Sequence, residues 1–409
     1  MREDDARAQS ALEQALDEQV LTGRTSRRRF VGRSAGAALM ATGLASVLSA
    51  CGITGTATQN VEQLEEEAAN VRHPKVPIGD WTFSNWPLYM DKAVLKDFDR
   101  RFGGKVKYVE DINDNNDFFG KVRQQLTQDQ PIGRDIVVLT DPMASRWVRS
   151  GFVTPYDLRN VPNRDNLVAT LQSISYDPKR QFTLPFQSGA IGIGYDIRAT
   201  GRELTSMKEF FNPEFKGKCT MLSEPYDSAS SVLIMQGKNP ANATIDDMLG
   251  AVEFIAQAAG KGQFRRFTGN DYTTDLTKGN VELVMAYSGD MVQLQADNPN
   301  LRFAYPDEGA VLFTDNLMLP ANVAHPYAAE TMLNYLYEPD VAAKLCAYIN
   351  YISPVSGIRQ ILEKSDPDIA ENELIFPTDE IRERLKVYPS LSTIEEQQMY
   401  EAMAKVTGA

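Results

Sequence analysis

Apolar runs and helix-spaced apolar stripes take turns along the chain from Trp81 onward, and this alternation limits the fold more than any other feature. Trp81 to Phe83 reads as a short strand, after which Val94, Leu95, Phe98 and Phe102 recur at helical spacing until Gly103-Gly104 closes the stretch. Val106 and Tyr108 then alternate across a second strand, and Phe118, Phe119, Val122 and Leu126 mark one face of a second helix. Ile136 to Leu139 supplies a third, buried strand. The order β-α-β-α-β calls for a parallel sheet with right-handed crossovers and helices on its faces.

A second series follows. Gly192 to Tyr195 and Thr220-Met221-Leu222 are strand-like, and Met248, Val252 and Ile255 share a helix face. Leu283 to Tyr287 and Val311 to Leu319 read as strands, and Ala328 to Tyr337 as a helix that Pro339 is expected to stop. From Ile78 onward the chain has roughly 330 residues, more than one hydrophobic core usually serves, so two α/β lobes are expected. The pattern leaves open whether the late strands rejoin the first lobe.

Ahead of this body, Ser26-Arg27-Arg28-Arg29-Phe30-Val31 precedes an uncharged stretch from Ala35 to Ala50 that ends in Leu48-Ser49-Ala50-Cys51-Gly52. Basic residues, a short apolar core, small residues and a cysteine, in that order, read as a twin-arginine export signal with lipoprotein processing at Cys51. The stretch falls short of the about 20 apolar residues that span a bilayer. Residues 1–51 are thus expected to be the signal with Cys51 as the lipidated residue, and 52–77, with few large apolar residues, a flexible tether holding His73. Removing the residues ahead of Cys51 takes away 7 of 42 basic and 6 of 55 acidic groups, leaving 35 against 49, a net charge of −14. That balance argues against nucleic acid and suits a cationic partner. Cys219 and Cys346 fall on a strand and a helix; simple burial is the expected state and a disulfide the alternative.

Ligands of open α/β sheets gather at the carboxyl ends of strands. After the first strand stands Asn85-Trp86-Pro87-Leu88-Tyr89, after the third Thr140-Asp141, after the Thr220 strand Glu224-Pro225-Tyr226-Asp227, and after the Leu283 strand Tyr287-Ser288-Gly289-Asp290. Phe313 and Asp315, two apart, share a strand face. Carboxylates beside aromatic rings suit an organic ammonium ion: the carboxylates neutralise it and accept its N–H donors, while the rings attract the cation and cover its methylenes. A primary amine, with a pKa near about 10.4, arrives charged and is costly to bury without an anion. Each residue also has a plainer reading, as ring packing for Trp86, Tyr89 and Phe313 or as helix first-turn acids for Glu224 and Asp227. Catalysis finds little support. His73 lies in the tether, His325 follows a turn-like Pro320-Ala321-Asn322, and no nucleophile elbow, phosphate loop or zinc-type Cys/His spacing occurs. The glycines from Gly189 to Gly194 are out of order for a dinucleotide fingerprint and read as close strand packing. Neither a catalytic residue, a cofactor nor a metal is expected.

Taken in order, several segments resemble the spermidine/putrescine-binding proteins that serve ABC importers. They are Asn85 to Tyr89, Asp135 to Thr140, Leu184 to Tyr195, Ser206 to Lys218, Met285 to Asp290, Phe313 to Asn322 and Asn350 to Val355, within a resemblance running from Trp81 to Ile358. It implies a type II periplasmic-binding-protein fold, with lobe 1 formed by 78–190 plus 312–353 and lobe 2 by 191–311 plus 354–409. It also implies cleft walls at Trp86, Tyr89, Tyr287, Phe313 and Tyr351, amine-binding carboxylates at Asp290 and Asp315, and a second-lobe acid at Glu224 or Asp227. Leu88 stands where the family usually carries Asp or Glu, so one ammonium contact is missing, and Asp141, beside Thr140, is the expected replacement. Pro142 also departs from the family pattern. By the same resemblance, the lobes close on the ligand and present it to an ABC permease; the protein is expected to be a monomer, held to the membrane at Cys51 by the signal pattern above. A putrescine-like diamine is the first expectation and spermidine the second. The same fold holding another organic cation, a sugar or a ferric ion is the alternative, as is a sensor in place of a transporter; a lipid-anchored hydrolase is the reading from another class.

Overall fold

The computed structural model describes residues 68–408. The expected signal, Cys51 and tether residues 52–67 therefore lie outside the described residues.

The predicted alternation opens the fold. β1 (Asp80–Asn85) leads to α1 (Lys92–Phe102), β2 (Lys105–Glu110), α2 (Asn115–Thr127) and β3 (Ile136–Thr140). β1 pairs in parallel with both β2 and β3. Helix α1 starts where the Asp91 side chain accepts the Ala93 N–H at 2.7 Å, and it buries Val94, Leu95 and Phe98. Burying each such side chain stabilises the fold by roughly 1.5–3 kcal/mol. The helix ends at Gly103, and at Gly104, with φ +77°, a Cβ would stand 2.1 Å from the Gly79 carbonyl oxygen, so only glycine lets β2 begin that close to β1. Helix α3 (Asp141–Arg149) follows β3 without a loop, and Trp147 stacks on Phe118 of α2 at 6.3 Å.

After β4 (Val153–Thr154) comes β5 (Thr183–Asp196), the longest strand. The next series is β6 (Cys219–Leu222), α4 (Pro225–Met235), α5 (Ile245–Gly260), β7 (Phe264–Thr268), α6 (Tyr272–Thr277), β8 (Leu283–Tyr287), α7 (Ser288–Asp297) and β9 (Leu301–Ala304). β6 pairs in parallel with β7 and β8, which gives a second α/β lobe. β10 (Ala310–Pro320) then returns. Its Asp315–Met318 stretch pairs antiparallel with β3, and the Ile191–Tyr195 stretch of β5 pairs antiparallel with β8. Since β5 and β10 also pair with each other from Ile191 opposite Val311 to Thr183 opposite Met318, two crossing strands join the lobes. The whole is one mixed sheet of order β2-β1-β3-β10-β5-β8-β6-β7 with helices on its faces.

Helices α8 (Pro326–Leu336) and α9 (Pro339–Ile349) return to lobe 1, where Tyr335 donates to Asp97 at 2.8 Å and Arg101 pairs with Glu338 at 2.8 Å. Pro339 does not simply stop a helix: it opens α9 at the first turn, where its missing N–H costs nothing. The tail adds α10 (Ile358–Ser365), β11 (Leu385–Lys386), which pairs with β10, and α11 (Thr393–Thr407), packed on α4 and α5 of lobe 2.

The end of the expected tether is also corrected. Ala68 is buried beside Val148 and Phe182, His73 Nδ1 lies 2.5 Å from buried Glu330, and the His73 N–H donates to Asp157 at 3.1 Å. The segment is thus tied to lobe 1 at Ala68, which fills a small apolar gap, and at His73, which joins the Asp157 N–H and the Asn160 amide around the buried Glu330 carboxylate. Cys219 and Cys346 are both free and buried. Among the described residues no helix is long and apolar enough to cross a membrane.

Candidate functional site

Strand ends from both lobes line a narrow cleft. On the lobe 1 side, buried Asn85 at the tip of β1 shapes the loop that follows. Its amide donates to the Tyr89 carbonyl at 3.2 Å and its oxygen accepts the Trp86 N–H at 2.9 Å. Trp86 Nε1 is fixed to the Val138 carbonyl at 3.0 Å, which holds the indole as a wall. Tyr89 donates to Asp315 Oδ2 at 2.9 Å, and Thr140 Oγ1 donates to Asp315 Oδ1 at 2.9 Å. A bulge in β5 opposite Asp315/Asn316 sets Phe186 edge-on to Tyr89, 5.2 Å between ring centres.

On the lobe 2 side, Asp227 stands in the first turn of α4. Its two oxygens accept from Tyr287 at 2.8 Å and Tyr388 at 2.6 Å. Asp290, in the first turn of α7, accepts from Asn270 and Tyr272 at 2.7 Å each and from Tyr351 at 2.6 Å. Phe313 lies 5.2 Å from the Tyr287 ring, and Tyr351 lies 4.8 Å from the Tyr89 ring. Glycines leave room for these rings: a Cβ on Gly289 would meet Tyr351 Cδ2 at 2.2 Å, and one on Gly189 would meet Phe313 Cζ at 2.7 Å.

Three aspartates therefore face one cleft whose lining holds no Lys, Arg or His among the described residues. Burial pushes Asp227 and Asp315 up to about 7 and Asp290 up to about 6, although the hydrogen bonds each accepts pull the other way. An ionised carboxylate has about four lone-pair sites, and the tyrosine, threonine and asparagine donors occupy two or three of them. Each aspartate retains the capacity to accept an N–H. The cleft is thus an anionic cage short of positive charge, walled by π faces.

Nine of the eleven residues singled out in the sequence come together here: Trp86, Tyr89, Thr140, Asp227, Tyr287, Asp290, Phe313, Asp315 and Tyr351. Two do not. Asp141 is turned away from the cleft, its carboxylate bound by Tyr176 at 2.8 Å and Asn316 at 2.7 Å, so it does not replace the acid missing at Leu88. Glu224, the N-cap of α4, faces the seam between lobes, where Asn116 and Tyr400 donate to it. Leu88 itself is 48% exposed, at φ +58°, and does not line the cleft. Pro87, Asn270 and Tyr388 line the cleft without having been singled out, and Tyr272 supports Asp290 from behind. Asn270 and Tyr272 follow β7, a strand of Phe-Arg-Arg-Phe-Thr with no strong apolar signal, although Gly269-Asn270 is itself a turn signal at a strand end. Tyr388 sits in an irregular tail segment with no periodicity to place it. His325 pairs with Asp135 at 3.2 Å away from the cleft, and no group of residues suited to a metal occurs among the described residues.

A two-lobed α/β body with hinge strands and a polar, ring-walled cleft between its lobes defines a solute-binding protein of the periplasmic-binding-protein type. The chain belongs to the bacterial extracellular solute-binding protein family, which it matches over residues 93–377. It is 27% identical to the putrescine-binding periplasmic protein PotF of Escherichia coli K12, over 74% of this chain and 84% of that protein. It is 25% identical to spermidine/putrescine-binding periplasmic protein 1 of Haemophilus influenzae, over 72% of this chain and 80% of that protein. Among solved structures, the spermidine/putrescine substrate-binding protein PotD of Streptococcus pneumoniae aligns with a TM-score of 0.64 at 19% identity, covering 80% of this chain and 98% of its own. A Listeria monocytogenes protein assigned to spermidine/putrescine transport aligns with a TM-score of 0.71 at 20% identity, over 80% and 98%.

Proposed function

We propose that this chain captures a polyamine, a putrescine-like diamine or spermidine, between its lobes and delivers it to the permease of an ABC importer. The observation that carries the reading is the set of three buried aspartates, Asp227, Asp290 and Asp315, with no basic side chain among the cleft-lining residues. Three carboxylates in one crevice repel each other unless protons or a cation compensate them. A linear amine supplies positive charge at both ends and methylenes between, which the Trp86, Tyr287, Phe313 and Tyr351 rings are suited to cover. The side chains that hold the aspartates in place are neutral hydroxyl and amide donors, so the negative charge is left for the guest to compensate. Capture and release by hinge motion of the β5/β10 crossing is the transport step such a receptor performs, and no chemical conversion is needed.

Titration calorimetry of the protein with putrescine, spermidine, spermine and a neutral sugar tests the reading. Saturable binding of at least one amine is expected, with none for the sugar; a wild type indifferent to every amine would remove the amine claim. The export and anchoring reading of residues 1–51 belongs to the same proposal. Cys51→Ala in the full-length precursor is expected to move the mature protein from the membrane fraction to the soluble extracytoplasmic fraction.

A further inference from the structure

Apart from the cleft, the lobes meet along a second seam built by the C-terminal helix. Glu396, in the first turn of α11, is 3% exposed. One of its oxygens accepts from Tyr226 of lobe 2 at 3.0 Å, and the other accepts from Arg149 of lobe 1 at 2.6 Å. Beside this pair, the Arg146 guanidinium lies between two rings, 4.5 Å from the Phe119 centroid in its own lobe and 5.6 Å from that of Tyr400 on α11. Both arginines come from the last turn of α3, and neither they nor Glu396 line the cleft.

We infer that Glu396 of α11 and Arg149 of α3, with Arg146 over Tyr400, form a closure clasp that favours the closed arrangement of the two lobes with or without a guest in the cleft. Three features support this. The contacts run between elements of opposite lobes, so they exist only while the lobes are together. The Glu396 carboxylate is removed from water, so losing Arg149 leaves it short of its one cationic partner. Glu396, Arg149 and Arg146 do not line the ligand cage; Glu396 reaches it only at one remove, through Tyr226, whose ring meets Tyr388 at 5.7 Å, so variants that keep the Tyr226 bond act on binding through the open–closed equilibrium. A ligand whose competent state is less populated binds more weakly in proportion. Glu396 and Arg149 are positioning residues, and the tail becomes a working part of the receptor.

The inference rests on the solute-capture reading for what fills the cleft, and its test separates the two. Glu396→Gln keeps an acceptor for Tyr226 and removes the charge; Arg149→Met keeps the packing of the side-chain stem. Each variant is expected to bind the amine taken by the wild type roughly tenfold more weakly, within the range of ordinary conformational coupling, with faster dissociation and an unchanged rank order among amines. The double variant is expected to lose no more than the larger single loss, because the two residues share one interaction. Small-angle scattering of the ligand-free chain reads the clasp without any amine, and the variants should shift toward a larger radius of gyration. Wild-type affinity, dissociation rate and scattering in both variants would overturn the clasp. A wild type that ignores every amine, while Glu396→Gln still opens it, would instead sink the ligand proposal and leave the clasp standing.

Discussion

At the scale of single residues, the cleft aspartates are held in a costly state. Their acids lie above the usual carboxylate range, so between about pH 4 and 7 the folded protein binds more protons than the unfolded chain. Stability of the ligand-free protein from these groups is therefore greatest at low pH and declines as pH rises through about 6 to 7. Ligand runs the other way: an ammonium ion favours the carboxylates, so binding near pH 6 to 7 releases protons and tightens as pH rises toward 8. Calorimetry in buffers of differing ionisation enthalpy at pH 6.5 should show this release, and affinity that is flat from pH 5.5 to 8 would contradict it. Replacing Asp315 by Asn should weaken amine binding by about 2–5 kcal/mol, the usual cost of unpairing a buried charge. The same change should raise the melting temperature of the ligand-free protein, since a buried carboxylate without a cation is removed.

At the scale of elements, the sequence was most readable where one physical signal dominated. The β-α-β-α-β opening carried clean periodicity, and the acid-aromatic strand ends could be named because strand ends are where such a sheet receives ligands. Where tertiary contacts decide, the pattern was silent. Asp141 and Asp315 look equally suitable in the sequence, but the first residue of α3 is turned toward Tyr176 and Asn316, while Asp315 faces the cleft from β10. Tyr388 reaches Asp227 only because β11 pairs with β10, a two-residue ladder that leaves no trace in composition. The docking of His73 depends on Glu330, more than 250 positions away in the chain. The glycine run was legible as close packing, and it supports a sharper expectation at the start of α7. Gly289→Ala should displace the Tyr351 ring and weaken ligand binding by about 1–3 kcal/mol, as overpacking generally does. Gly250→Ala, in α5 with nothing within 4 Å of the new methyl, should leave binding unchanged and stabilise the helix by up to about 1 kcal/mol. Equal losses in the two variants would count against the ring-displacement argument.

At the scale of the whole molecule, ligand and lobe closure should appear as one event. An amine at 100 times its dissociation constant should stabilise the folded state by about 2.7 kcal/mol, read as a rise in melting temperature that scales with the logarithm of amine concentration. The closed arrangement seen here is held at several places besides the cage. The Asn270 N–H donates to the Asn113 carbonyl at 3.1 Å, Ser223 donates to Asp114 at 2.6 Å, and Gln293 reaches the Leu88 carbonyl at 3.3 Å. Of these donors the Asn270 backbone amide is the reporter for hydrogen exchange, expected to gain protection when ligand is added.

The strand that returns through β10 has one more consequence, for how the protein is made. While a ribosome is still synthesising lobe 2, β3 has one side bare, because the partner that covers it lies some 180 residues downstream, from Thr140 to Pro320. At ordinary elongation speeds that is a delay of roughly 10 to 40 seconds, during which a nascent chain offers an unpaired, largely apolar strand edge to its surroundings. The first half of the molecule cannot finish before the second has emerged, so chaperone demand should peak midway through translation.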